Sequence, residues 1–222
     1  MMTNLFSTFD PATSNIYSLN WMSTMIILLM FPYTFWIMNS RYQMMIMMLT
    51  NKLHNEFKSL LKSSKGLTLI TNAMFMFILI NNLMGLLPYI FTSSSHLIYS
   101  MTMSLPLWLT IMMFGWTEKT QDMFTHLIPA GTPAILMPFM VCIETISNLI
   151  RPGSLAVRLT ANMIAGHLLM SLLGNNTSNA TTLLILLIMI IQIMLMMFET
   201  AVAIIQAYVF SVLTTLYSSE VN

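Results

Sequence analysis

The chain keeps returning to runs of apolar residues long enough to cross a bilayer, and that repetition restricts its fold more than any other feature. No Asp, Glu, Lys or Arg occurs from Leu67 to Trp116, or from Thr181 to Phe198. A membrane helix needs about 20 such residues. In lipid, every backbone N–H and C=O must find its partner inside the segment, which leaves helices as the simplest spanning structure. The expected class is therefore an all-α integral membrane protein. Composition agrees, with 57% hydrophobic and 7% charged residues, against about 25% charged in a soluble domain.

Along the chain, residues 17–38 are the first expected span, with Pro32 as a kink that a membrane helix can tolerate. Residues 41–65 differ. Met44, Met45, Met48, Leu49, Leu53, Phe57, Leu60 and Leu61 recur at three- and four-residue steps, with Lys52, Glu56, Lys58 and Lys62 between them, the pattern of an amphipathic helix lying in the interface. Residues 67–89, carrying Asn81 and Asn82, and 97–116 are the next spans. Residues 134–173 form a long helix kinked at Pro152 and Gly153, which Gly174 and the polar run after it should end, and 181–217 form the last helix. These two segments would reach roughly 60 and 55 Å at about 1.5 Å per residue, against a hydrocarbon core near 30 Å. The expectation is one membrane domain over 1–222, of about five transmembrane helices and one interfacial helix, ending in a strongly tilted hairpin.

The net charge of +1 argues against nucleic acid or any strongly charged partner. Five of the eight Lys and Arg (Arg41, Lys52, Lys58, Lys62, Lys65) lie between the first two long apolar runs, and that segment should stay on the non-translocated side. Five spans then put the termini on opposite sides, with the C-terminus beside the basic helix. The N-terminus has no basic region of the kind that precedes a cleaved leader. Cys142, the single cysteine, excludes a disulfide framework and reads as a small buried hydrophobe. The 26 methionines stand where Leu or Ile would serve, which points to the coding bias of an organelle genome. No fixed-period repeat is visible.

Chemistry concentrates in the last two helices, which hold Glu144, Arg151, Arg158, His167 and Glu199, with Glu220 near the end. An ionisable residue at bilayer depth costs at least about 2.5–3.5 kcal/mol and is by default a functional candidate. At about 100° per residue, Glu144 and Arg158 fall some 40° apart, Arg151 lies midway on their stripe, Asn162 shares the face of Arg158, and His167 points the opposite way. Glu199, Gln206 and Glu220 share a stripe of the last helix. In an antiparallel hairpin facing residues have nearly constant number sums, and Arg158 with Gln206, His167 with Glu199, and Glu144 with Glu220 fit one register. An acid or base then sits toward each mouth with a fixed cation between. Histidine titrates near neutrality and a carboxyl can take and give a proton, whereas arginine keeps its proton. His54 reads as a solvated face residue, His96 and His126 as loop residues, Asn81 and Asn82 as caps or helix glue as readily as path lining, and Ala165 and Gly166 as small residues permitting close packing.

The runs PFMVCIETISNLIRPGSLAVRLTANMIAGHLL and ETAVAIIQAYVF resemble the two signature helices of the subunit a family of F-type ATP synthases, in its mitochondrial, insect-like form. NNLMGLLPYIFTSSSHL, LPLWL and HLIPAGTPAILMP fit as well, so the likeness covers nearly the whole chain. The resemblance implies a proton-translocating stator subunit, not an enzyme on its own, in the mitochondrial inner membrane with its N-terminus in the intermembrane space and its C-terminus in the matrix. It implies as partners the c-subunit ring, the other membrane and peripheral-stalk subunits, membrane lipid and the transported proton, with no cofactor or metal. It puts the indispensable arginine of the RLTAN motif at Arg158, half-channel residues at His167 and Glu199 on the intermembrane-space side and at Glu144 on the matrix side, and Asn162 and Gln206 near the arginine. The family often has Gln where Ala130 stands, and Arg151 is not among its fixed functional positions.

Two other classes fit less well. The first is another multi-span proton-coupled transporter or respiratory-chain membrane subunit; a b-type haem in such a protein would need paired axial ligands, yet His54, His96, His126 and His167 are widely spread. A structural anchor would have no use for Arg158. No phosphate-binding G-x-x-x-x-G-K-[ST] loop occurs, so nucleotide chemistry would have to come from partner subunits.

Overall fold

The computed structural model describes residues 5–12, 17–32, 35, 37–61, 66–128, 132–133, 135–177 and 181–221. Lys62 and Lys65 of the basic segment, and Ala130 and Ala134, lie outside them. Among the described residues seven α-helices follow in order: α1 Ile26–Met30, α2 Arg41–Leu61, α3 Leu67–Gly85, α4 Leu97–Glu118, α5 Thr120–His126, α6 Met137–Thr177 and α7 Thr182–Val221. Among the described residues α3, α4, α6 and α7 are long and apolar enough to cross a bilayer.

The first apolar run is helical over a shorter stretch than 17–38. A 3₁₀ turn at Leu19–Met25 leads into α1, and Phe31 is extended, with φ −80 and ψ 118. Pro32 follows, and a proline ring pushes the residue before it out of the α region. At Pro152 the outcome is the reverse. Helix α6 runs through it without interruption, and the buried ring borders a crevice with Ser104 and Trp108 of α4 and Thr214 and Tyr217 of α7. Packing there replaces what the missing N–H forfeits. Nor does α6 stop at Gly174: it adds a further turn to Thr177, whose Oγ1 donates to the Gly174 carbonyl at 2.6 Å.

Helix α2 buries Leu53, Phe57 and Leu61, at steps of four, and exposes Lys52, Glu56 and Lys58, the one-sided pattern of an amphipathic helix. Gly66, at φ 104, turns the chain from α2 into α3, a conformation that glycine adopts without a Cβ penalty. Phe57 and Ile78 are fully buried in a core shared with Leu155 and Leu159 of α6 and Ala207 and Phe210 of α7. Between α3 and α4, Ser93–Ser95 form a buried 3₁₀ turn packed on α3, α4 and α6. Ala156, Ala203 and Ala207 have no exposed surface, and small residues of this kind let membrane helices approach closely. The core thus fixes the middle of the α6–α7 hairpin from one side and leaves the other side open, with Val157, Ile204 and Ile205 about half exposed.

Cys142 corrects the sequence expectation of burial, since it is exposed on α6. In a bilayer an outward apolar side chain meets lipid instead of water, so the burial habit of soluble-protein cysteine does not transfer. His96 also differs from a plain loop residue. It precedes α4, its ring lies 5.3 Å from that of Trp21 and 5.2 Å from that of Phe91, and its Nε2 is buried without a partner.

Candidate functional site

The sequence-predicted residues occupy three levels along the α6–α7 hairpin. In the middle, Arg158 and Gln206 line one narrow crevice with Leu155, Leu159, Val209 and Phe210. Leu155 and Leu159 face the core, which turns the Arg158 side chain outward, where it is exposed. Among the described residues the salt bridges are made by Arg151, and Arg158 has no acidic partner. The crevice has a free volume of about 10 Å³, at the lower limit for a single water molecule.

Toward the turn between the two helices, the hairpin opens into a cavity of about 290 Å³, lined by Asn162, Gly166, Glu199 and Gln206 among apolar neighbours. That space is large enough for a file of waters. Glu199 is 7% exposed, and among the described residues neither carboxyl oxygen has a hydrogen-bond partner. A buried polar group in that condition is completed by water or by a proton. Glycine leaves the carboxyl its place, because a Cβ at position 166 would lie 2.8 Å from Glu199 Oε1 and 2.9 Å from its Cδ and would push that end of the side chain aside.

His167 follows Gly166 and is half-buried at the same level, but it does not line this cavity. Its ring meets the edge of Phe9, centroid to centroid 6.2 Å, and Nε2 has no partner among the described residues. The structure therefore brings Asn162, Glu199 and Gln206 to one cavity and sets His167 on the neighbouring face, about 100° around the helix from Gly166.

At the far level, Arg151 joins two carboxylates from different helices. Its Nη2 donates to Glu144 Oε1 at 3.5 Å, its Nη1 donates to Glu220 Oε2 at closer range, and its guanidinium carbon lies 5.0 Å from the centre of the Tyr217 ring. Sequence reasoning put Arg151 on the Glu144 stripe but gave it no role. Only the packing of α7 onto α6 supplies Glu220 and Tyr217 as partners. Glu199 and Glu220 are 21 residues apart, about 31 Å along a straight helix, so they lie toward opposite ends of the hairpin. An acid at each end of such a span, with a fixed cation between, can pass protons from both sides but not straight through.

Asn81 donates to the Tyr99 hydroxyl at 3.0 Å, tying α3 to α4. Asn82 is fully buried with both amide atoms unpartnered.

Comparison with known proteins adds independent findings. The profile of the family described as ATP synthase A chain matches residues 17–219. ATP synthase subunit a of Drosophila melanogaster is 59% identical over 224 residues, covering 100% of both chains. The subunit a of Aedes aegypti is 59% identical over 226 residues, and that of Anopheles gambiae 58%, again with 100% of each chain covered.

Proposed function

The chain belongs to the ATP synthase A chain family, and on that premise we propose that it is a stator whose two proton half-channels end on either side of Arg158. It is a multi-pass, all-helical membrane subunit of the proton-translocating sector, and not itself the catalytic subunit. We place it in the mitochondrial inner membrane, as its insect relatives and methionine usage support. The N-terminus then faces the intermembrane space and the C-terminus the matrix, as the basic segment before α3 supports. The 41 and 40 residues of α6 and α7 exceed what an upright span needs and support a strongly tilted hairpin.

One observation carries this reading. An exposed arginine without an acidic partner sits halfway along an apolar hairpin, where an uncompensated charge costs at least about 2.5–3.5 kcal/mol. The missing counter-charge is a carboxylate on another chain, the rotating c-ring, with the remaining membrane and stalk subunits holding this chain still. Protons reach the ring from the Glu199 cavity, with His167 on the neighbouring face at the same level and Asn162 and Gln206 leading toward Arg158. They leave by Glu144. Arg158 attracts each ionised ring carboxylate, and its permanent charge in a crevice with almost no room for water bars a direct leak. Each proton crossing 100 mV delivers about 2.3 kcal/mol to rotation.

Two substitutions test the channels separately. Glu144→Gln removes the outlet carboxyl and should lower proton-driven synthesis about a hundredfold, with the deficit varying with matrix pH and not with pH on the other side. Gly166→Ala pushes the mobile end of Glu199 aside without disturbing backbone, so the complex should assemble while uptake falls about tenfold. Normal synthesis in an assembled Gly166→Ala complex would show that the Glu199 cavity is not the inlet.

A further inference from the structure

We propose that Arg151 is a positioning residue that makes Glu144 and Glu220 act as a one-proton relay at the outlet. The proposal rests on the reading of Glu144 as the outlet carboxyl. Its footing is the trio itself. One guanidinium holds a carboxylate from α6 and a carboxylate from α7, and the Tyr217 ring beneath it fixes its plane, an arrangement favourable to a cation.

Charge counting sets what the trio can do. Arginine does not give up its proton, so with both carboxyls ionised the trio carries one net negative charge. One proton makes it neutral, and a second would leave an uncompensated positive charge beside apolar helices, which is disfavoured. The outlet therefore holds one proton at a time. Glu144, the less exposed of the two, takes the arriving proton while Arg151 stays with Glu220. Glu220, whose side chain is 56% exposed against 39% for Glu144, passes the proton on to water. Arg151 then reaches both carboxylates again, and no charge beyond the single proton has moved. Besides Tyr217, the nearby crevice offers Ser104 and Trp108 from α4, neither of which titrates, so the two carboxyls carry the exchange.

The test uses the complete ATP synthase in liposomes, with synthesis rates recorded against pH on the outlet side and then on the inlet side. In Arg151→Gln two carboxylates face each other without a cation, and one of them retains its proton. Synthesis at neutral outlet pH should fall about tenfold and recover when outlet pH is raised by about one to two units, with the inlet profile unmoved. Arg151→Lys keeps the charge without the two-carboxylate fork or the stacked plane, so it should shift the outlet profile less than Arg151→Gln without restoring the wild-type rate. The double variant Arg151→Gln with Glu220→Gln restores the single negative charge, so its outlet profile should return toward the wild-type pH while its rate, without Glu220 to pass the proton on, stays below wild type. An unshifted outlet profile in Arg151→Gln, or a double variant whose profile stays shifted as far as the single one's, would overturn the proposal. Failure of both to assemble would overturn it too, since Arg151 would then be a structural tie. Glu144→Gln, run alongside, separates the two readings. If it leaves the outlet profile unshifted, the outlet assignment fails. If it shifts the profile and the Arg151 variants do not, only the relay fails.

Discussion

Arg158→Ala should abolish proton-driven ATP synthesis, by more than about a hundredfold, in a complex that still assembles. The expected size follows from the energy of a fixed charge at bilayer depth, at least about 2.5–3.5 kcal/mol, since every 1.4 kcal/mol is about tenfold. Assembly should survive because the side chain is exposed and the hairpin is held by the core on its other side, through Leu155, Leu159, Ala207 and Phe210. Arg158→Lys should also fail or work poorly. A desolvated lysine can release its proton and cannot offer the same fork of donors to a carboxylate. Synthesis near the wild-type rate in either assembled variant, measured in energised vesicles, would refute the role given to Arg158.

Glu199→Gln should cost about a hundredfold in passive proton flux through the membrane sector stripped of its catalytic head. Glutamine keeps the shape that seats against Gly166 but cannot exchange a proton, and a positioned acid or base typically contributes about 10²–10⁴-fold to proton transfer. His167→Ala should cost less, because His167 lies on the neighbouring face and does not line the Glu199 cavity. Flux in Glu199→Gln within twofold of wild type would remove Glu199 from the path, and a larger loss at His167 than at Glu199 would reverse their order of importance.

Much of the fold was legible because lipid removes alternatives. Most long uncharged runs became helices, although 17–38 holds only a 3₁₀ turn and α1 among its described residues, and the one run with charges at helical spacing became α2, with Leu53, Phe57 and Leu61 turned inward. The hairpin register put His167 opposite Glu199, whereas the structure sets Gly166, one residue earlier, against Glu199 and leaves His167 on the neighbouring face, while Arg158 and Gln206 line one crevice. What escaped depended on partners distant in sequence. Proline ends the helical path at Phe31 yet is absorbed at Pro152, and only the crevice against α4 and α7 distinguishes the two. Arg151 looked idle on its own stripe until α7 brought Glu220 and Tyr217 beside it. His96 looked like a loop residue because Trp21 and Phe91 come to it from other segments. Cys142 was misread for another reason, in that burial habits learned in water reverse on a lipid-facing helix.

The central claim is that two half-channels meet the ring on opposite sides of one fixed charge, and passive proton leak tests it most directly. Liposomes holding the complete complex, given a proton gradient and no nucleotide, should leak little in the wild type and many-fold more in Arg158→Ala. Adding Glu199→Gln or Glu144→Gln to Arg158→Ala should each close that leak, because either interrupts a path that now runs through both. A leak that persists in either double variant, or an Arg158→Ala complex as tight as the wild type, would contradict the account.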